Sequence, residues 1–227
     1  MTDLRVLSYN VLSLRLGLDR VAAVIRACAP DVVCVQEAPR FWGWRARCAD
    51  LALAAGLRIV TGGRPAAANL LLARPDLRVV EGRSVRLRWQ PPLHRRGVAI
   101  GVFDVAGTPV VVASTHLSLD DDERPGQARE IAALLTAYAA PAVLAGDVNE
   151  DPDGPAFAHL AGVFQDAYAA APVGDGLTST AARPRRRIDA VFADRRLEVV
   201  RCGVPDDVPG LAEASDHRPL VAVLRLP

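Results

Sequence analysis

The stretch Gly146-Asp147-Val148-Asn149 sets an acid and a carboxamide at the end of the apolar run Pro141-Ala142-Val143-Leu144-Ala145. On an extended backbone, positions i and i+2 project to the same side. The motif would therefore hold a general base beside a hydrogen-bond donor. Polar residues also bound other apolar runs. Asn10 follows Leu7-Ser8-Tyr9, and Glu37 follows Val32-Val33-Cys34-Val35-Gln36. His116 ends the run from Val110 to Thr115, Asp189 precedes Ala190-Val191-Phe192, and Ser215-Asp216-His217 leads into the last run, which starts at Leu220. One such residue reads as a turn former; the repetition at six strand ends reads as a rim built for chemistry.

The residue types suit phosphate-ester hydrolysis. Glu37 and Asn10 offer oxygen ligands for a hard cation such as Mg²⁺ or Mn²⁺. Asp147 would deprotonate a water, and Asn149 would orient that nucleophile or bind the developing charge. His116 would contact a phosphoryl oxygen, and His217, held by Asp189, would bind or protonate one. A cation, an activated water and donors around phosphorus are the parts this reaction needs. The adjacent Ser215, Asp216 and His217 do not make a serine-hydrolase relay. Neighbours on an extended chain point in alternating directions, and no Gly-x-Ser-x-Gly elbow is present.

The elements that must position these residues are legible as periodic patterns. Leu4 to Tyr9 reads as a first strand. Val21, Val24, Ile25 and Cys28 mark one face of a helix ended by Pro30, and the continuous run Val32 to Val35 reads as a buried strand. Trp44, Cys48, Leu51, Ala52 and Ala55 give a second helical stripe stopped by Gly56, which places Trp44 in the core. Strands are expected at Leu57–Thr61, Asn69–Ala73, Leu77–Leu87, Gly97–Val105 and Val110–Thr115, with Ala106-Gly107-Thr108 as a hairpin turn. Ala128, Ile131, Leu135 and Tyr138 mark a third helix. Residues 150–187 read as loops with at most short helices. Ile188–Ala193, Leu197–Cys202 and Leu220–Leu226 read as strands. Two packed sheets covered outside by helices follow, in an α/β chain read as one domain over residues 1–227.

The chain has 227 residues, 51% of them hydrophobic, enough for one substantial core. No apolar run reaches the length of a membrane span. The start Met1-Thr2-Asp3-Leu4-Arg5 lacks the layout of a signal peptide, so the cytoplasm is the expected location and a monomer the expected state. A net charge of +1 argues against a strong non-specific nucleic-acid binder, though not against a nuclease. All 27 basic residues are arginine, which GC-rich coding explains without any phosphate recognition. Cys28, Cys34, Cys48 and Cys202 show no close pairing of the zinc-site type and read as reduced core thiols.

In order along the chain, Ser8-Tyr9-Asn10, Val35-Gln36-Glu37, Ser114-Thr115-His116-Leu117, Gly146-Asp147-Val148-Asn149, Arg187-Ile188-Asp189 and Ser215-Asp216-His217 resemble the motifs of the endonuclease/exonuclease/phosphatase superfamily. The resemblance implies a four-layered α/β/β/α sandwich and metal-dependent hydrolysis of phosphomonoesters or phosphodiesters. It implies Glu37 as principal metal ligand, assisted by Asn10 and Asp216, and His116 at the phosphate. It implies Asp147 as general base with Asn149 beside the nucleophile, and Asp189 orienting His217. Many members carry an acid two residues after the first Asn; here Leu12 stands there, which implies a smaller metal shell. The Thr-His-Leu form followed by Gln127-Ala128-Arg129 is similar to the bacterial metal-dependent hydrolase and sphingomyelinase-like branches.

Substrate readers are sought beside these motifs. Arg183 and Arg185 precede the Asp189 strand and would form a phosphate-contacting lip. Arg95-Arg96, near Trp89, form a second rim segment, Trp42 would stack on a base, and Asn69 begins a strand. The leading reading is a Mg²⁺- or Mn²⁺-dependent phosphoesterase acting on a small phosphorylated molecule. A DNA endonuclease or exonuclease on the same site is the alternative. A catalytically silent nucleic-acid or protein-binding module is the rival of another class.

Overall fold

The computed structural model describes residues 2–227. One sheet contains β1 (Asp3–Asn10), β2 (Val32–Gln36), β3 (Arg58–Gly63), β4 (Asn69–Ala73), β10 (Pro172–Val173), β12 (Glu198–Gly203) and β13 (Leu220–Arg225). Its strand order is β10-β12-β13-β1-β2-β4-β3. The other contains β5 (Arg78–Arg86), β6 (Gly97–Val105), β7 (Thr108–His116), β8 (Ala142–Asp147), β9 (Gln165–Asp166) and β11 (Asp189–Ala193), ordered β5-β6-β7-β8-β11-β9. Each sheet is mostly antiparallel around a parallel central pair. These pairs are β1–β2, crossed by α1 (Leu18–Cys28), and β7–β8, crossed by α3 (Arg124–Thr136).

Strand alternation divides the apolar residues into three layers. Leu4 and Val6 of β1, Cys34 of β2, Leu71 of β4, Val112 of β7, Val143 of β8 and Val191 of β11 meet between the sheets. The residues that alternate with them face outward. Leu7, Tyr9, Val33 and Val35 pack under α1 and α2 (Trp44–Ala54). Val111, Ala113, Leu144 and Phe192 pack under α3 and α4 (Pro155–Val163). The result is the expected α/β/β/α sandwich. A fully buried side chain of this size contributes about 1.5–3 kcal/mol, so the three layers hold the strand ends rigidly.

The inter-sheet faces change character along each strand. Val6, Ser8 and Asn10 of β1 share one face; so do Val112, Ser114 and His116 of β7, and Val143, Ala145 and Asp147 of β8. Hydrocarbon thus gives way to polar atoms toward one end of the sandwich. The intermediate tier is closed by hydrogen bonds. Gln36 Nε2 donates to Ser114 Oγ (3.2 Å), Ser114 Oγ donates to the Val35 carbonyl (3.1 Å) and Ser8 Oγ donates to Gln36 Oε1 (3.4 Å). All three side chains are fully buried.

Several local outcomes differ from the sequence reading. The third helix stops at Thr136, before Tyr138. Residues 150–187 contain the nine-residue α4, with Pro155 in its first turn and Phe157 and Leu160 in the outer core. Trp44 opens α2 half-buried under the Arg45 guanidinium, outside the sealed core. The turn at Ala106-Gly107 has positive φ at both residues (52° and 88°), the geometry that suits the twist of a two-residue hairpin. No helix among the described residues is long and apolar enough to cross a membrane.

Candidate active site

The polar tier ends in a cleft of about 330 Å³. Strand register brings its acids and histidines together. His116 pairs with Asp147 across the parallel β7–β8 ladder, and Asp147 pairs with Asp189 across the antiparallel β8–β11 ladder. Gly146 allows this approach: a Cβ there would lie 2.0 Å from the Thr115 carbonyl oxygen. From the opposite sheet Asn10 reaches across, its Nδ2 donating to Asp147 Oδ2 (3.1 Å) and to Glu37 Oε1 (3.3 Å).

Asp147 is the centre of the arrangement. It is 1% exposed, so its oxygens have few neighbours other than protein groups. Its Oδ1 accepts the Asn149 backbone N–H at 2.9 Å. Its Oδ2 lies 3.5 Å from His116 Nε2 and 3.7 Å from His217 Nε2. His217 Nδ1 is bonded to Asp189 Oδ2 at 2.7 Å, and the Asp189 backbone N–H donates to Thr178 Oγ1 (3.3 Å). Ser215 Oγ donates to the Asn10 carbonyl (2.6 Å), tying the His217 segment to the end of β1.

The two histidines are driven in opposite directions. Burial, only partly offset by the nearby Asp147 charge, pulls His116 down to about 4. Burial also opposes charge on His217, but the Asp189 charge and hydrogen bond, backed by Asp147 and Asp216, outweigh it and raise His217 to about 10. At neutral pH one imidazole is neutral and the other cationic, on either side of one carboxylate oxygen. Environments that separate two like groups in this way assign them different acid–base roles.

Backbone strain concentrates here. Of nine non-glycine residues with positive φ among the described residues, five line the cleft: Ser13, Glu37, Ala67, Ala68 and Asn149. Such conformations cost about 1–3 kcal/mol each and persist where surrounding structure enforces them. Asn149 (φ 56°) corrects the extended-strand argument. The chain turns after Asp147, and an Asx-type bond joins the two residues rather than a shared pleat. The Asn149 amide is held by the Leu117 carbonyl (3.0 Å).

Other expected site residues are placed differently. The Asn10 carboxamide oxygen accepts the Leu12 N–H (3.1 Å), so its donor nitrogen, not its oxygen, faces the acids. Asp216 is exposed, accepts a bond from Ser215 Oγ (3.3 Å) and is absent from the cleft lining among the described residues. Asn69 is buried and outside the cleft lining, its amide donating to the Ala66 and Gly97 carbonyls (3.0 and 2.9 Å). Arg183 and Arg185 are exposed and outside the cleft lining. Their neighbours Arg186 and Arg187 pair instead with Asp151 and Asp166. Arg96 does line the cleft, together with Arg15, Arg40 and His94, which no periodic pattern in the sequence marks. The buried Arg124 pairs with Glu150 (3.3 Å) and donates to the Ser118 and Leu119 carbonyls, fixing the segment after His116.

Two donor sets could receive a cation. Asp147, Asp189 and His217 offer ligand atoms within 4.8 Å of one another, a group that could hold a metal ion. Nδ1 of His217 is already engaged by Asp189, however, and the cationic state of the ring leaves it a donor. Glu37 is half-buried at the cleft wall beside Asp147, with Asn10 between them. Hard oxygen donors on an open cleft suit a divalent cation that keeps most of its waters.

The profile of the Endonuclease/Exonuclease/phosphatase family matches residues 7–217. No match is found among curated proteins. Among solved structures, an endonuclease/exonuclease/phosphatase from Bacteroides vulgatus superposes with TM-score 0.84 at 24% identity, covering 100% of both chains. One from Beutenbergia cavernae gives TM-score 0.76 at 28% identity, over 100% of this chain and 72% of that one. A mannosyl-6-phosphatase from Bacteroides thetaiotaomicron gives TM-score 0.79 at 20% identity, over 97% and 99%. The profile match begins in β1, three residues before Asn10, and ends on His217 itself, so it spans every residue of the cleft: the chain belongs to the endonuclease/exonuclease/phosphatase family.

Proposed function

We propose that the chain is a divalent-metal-dependent phosphoesterase that attacks a phosphomonoester or phosphodiester with an activated water. Members of its family are hydrolases of phosphoester bonds. The observation that carries the reading is the pair of histidines around Asp147 Oδ2, one neutral and one cationic. Asp147 takes the proton of the attacking water. The imidazolium of His217, held through Nδ1 by Asp189, presents Nε2–H to a phosphoryl oxygen. Neutral His116 contacts the phosphate without adding charge. Asn149 lines the cleft with Asp147, where it would orient the water, and Arg15, Arg40 and Arg96 attract the anion. Glu37 would hold Mg²⁺ or Mn²⁺, with Asn10 as the donor that fixes its carboxylate. The cation would supply polarisation of a phosphoryl oxygen.

A small phosphorylated molecule is the first substrate class, in keeping with the net charge of +1 and the small cleft. The test is hydrolysis of a panel of monoesters, diesters, nucleotides, phospholipids and DNA. Turnover is expected with Mg²⁺ or Mn²⁺, lost in EDTA and restored by either ion. Silence across the panel would favour the non-catalytic binding module.

A nuclease is the second reading, and one observation favours it. A hollow adjoining the cleft is lined by Arg40, Phe41, Trp42, Trp44 and Arg64, and the Trp42 side chain is fully exposed. Base stacking on aromatic side chains contributes about 1–3 kcal/mol per base. Under this reading Phe41→Ala with Trp42→Ala lowers kcat/KM on single-stranded oligonucleotides about tenfold or more and leaves a small phosphomonoester unaffected. Equal losses on both substrates would remove the stacking role.

A further inference from the structure

Buried polar groups in folded proteins nearly always find partners. Arg5, Arg124, Arg187, Arg218 and Arg225 are buried or half-buried, and each donates a side-chain hydrogen bond to a protein oxygen. Arg96 is the exception among the described residues. It is half-buried, its Nε is covered and unpartnered, and its guanidinium makes no ion pair. It lines the cleft with Arg15 and Arg40, which are exposed and equally without an acid partner. Arg40 only stacks on the Phe41 ring (5.2 Å). The loops that carry these arginines are bonded side to side. The Ser13 N–H donates to the Glu37 carbonyl (2.9 Å), the Ala38 N–H to the Ala68 carbonyl (2.9 Å) and Asn69 Nδ2 to the Gly97 carbonyl (2.9 Å). These bonds run from the Arg15 loop, through the Arg40 loop, to the residue after Arg96. Ser13, Glu37 and Ala68, all at the joins, have positive φ, a strain that surrounding structure must enforce. A Cβ at Gly97 would lie 2.7 Å from the Val85 carbonyl oxygen, so the backbone beside Arg96 is closely confined. The three guanidiniums thus stand on a preorganised basic wall.

We propose that this wall is a second anion subsite, and that the preferred substrate is a small molecule carrying a phosphate or carboxylate besides the scissile phosphoester. The inference rests on the phosphoesterase reading and deepens it. Under that reading the terminal oxygens of the scissile phosphoryl group already have contacts in the cation, His217 and His116. Each guanidinium adds several N–H donors in a planar fork, and three forks offer more than the same oxygens can accept. His116, Asp147, Asn149 and His217 all lie off the wall loops, so the two sets of donors are built separately. A neutral leaving group would leave the arginines unused. A second anion in the same cleft of about 330 Å³ would engage them through charge-assisted hydrogen bonds.

The test uses short alkyl phosphates of graded length, each ending in a hydroxyl, a carboxylate or a second phosphate, with the Mg²⁺-loaded protein. At the best length a charged end should raise kcat/KM about tenfold over the hydroxyl end, the scale of one hydrogen bond to a charged group. Comparing the carboxylate and phosphate ends identifies the anion the wall takes. Arg40→Ala and Arg96→Ala should each remove most of that ratio, whatever they do to the hydroxyl-ended chain. Arg96→Lys should keep part of it, since it retains the charge without the fork. Arg40 is exposed, so its variant reports on the subsite even where Arg96→Ala unfolds early. A ratio near one at every length, or a ratio that survives both substitutions, would overturn the proposal. Faster turnover of an oligonucleotide than of every charged-end chain would also overturn it, in favour of the nuclease. Where nothing is turned over, calorimetric binding of the same series in EDTA decides. Tighter binding of the charged ends, lost in both variants, upholds the subsite and counts against the phosphoesterase reading; equal binding of all ends overturns the subsite as well.

Discussion

Under the proposed function, Asp147→Ala is expected to lower kcat about 10³-fold on whichever substrate the unmodified protein turns over best, the scale set by losing a positioned general base. The carboxylate is not replaceable by a neighbour. Glu37 sits on the opposite sheet across the Asn10 amide, and Asp189 is committed to His217. Asp147→Asn is the more searching variant. It keeps the shape and can still accept the Asn149 N–H, but its amide would oppose the Asn10 amide and cannot take a proton. Both variants should give kcat losses of the same order, while Asp147→Asn retains more of the native Tm. The measurement is steady-state kinetics at saturating Mg²⁺, with thermal melts as the check on folding. Full-rate turnover by either variant would place the reaction elsewhere.

Asp189→Asn should cost about 10²-fold in kcat at pH 8, the scale of removing one charged donor from a developing anion. The cause is a change in the charge state of His217. Burial already disfavours its imidazolium, and it is mainly the Asp189 charge and hydrogen bond that overcome this. Without them His217 should titrate well below about 10, and the variant should regain activity as pH falls toward the ring's new midpoint. Ring-proton NMR in EDTA checks the cause directly. His217 of the unmodified protein should stay cationic from pH 6 to 8, and its counterpart in the variant should titrate at or below that window. The stability sign follows by linkage. A histidine raised from 6.5 to about 10 contributes stability that is fully present below pH 6.5 and is lost as pH rises toward 10. The variant should therefore lack that alkaline decline. His116, lowered to about 4, acts oppositely: it penalises the folded state as pH falls from 6.5 to 4, in both proteins. A His217 resonance that titrates identically in both proteins would refute the Asp189 role.

Much of this site is legible in the sequence because its residues end apolar runs. His116, Asp147 and Asp189 each adjoin a core strand, and ladder register alone brings them side by side. The orientation of Asn10 is not legible, because the Leu12 N–H that captures its oxygen depends on a left-handed turn. Asn69 carries the same strand-end signature as Asn10 but is roofed by the Ala66 and Gly97 backbone, and such long-range cover leaves no local trace. Arg183 and Arg185 lie close to Asp189 in sequence, yet their loop carries them outside the cleft. Arg15, Arg40 and His94 come from three separate loops and follow no period. The fold was more readable than the cleft because its layers depend on periodic apolar residues. The rim depends on where loops close.

The hydrogen-bonded tier of Ser8, Gln36 and Ser114 has a consequence for how this cleft could change. Residues that face the same way along a strand are spaced by two, about 6.6 Å. The floor of the cleft can therefore be lowered only in whole storeys, by remaking one complete cross-sheet triad at a time. Truncating Gln36 alone would leave the Ser8 hydroxyl without its acceptor, while Ser114 keeps the Val35 carbonyl. The rim loops above are under no such restriction, so a lineage carrying this scaffold can widen or reshape the entrance by single steps while its depth stays locked.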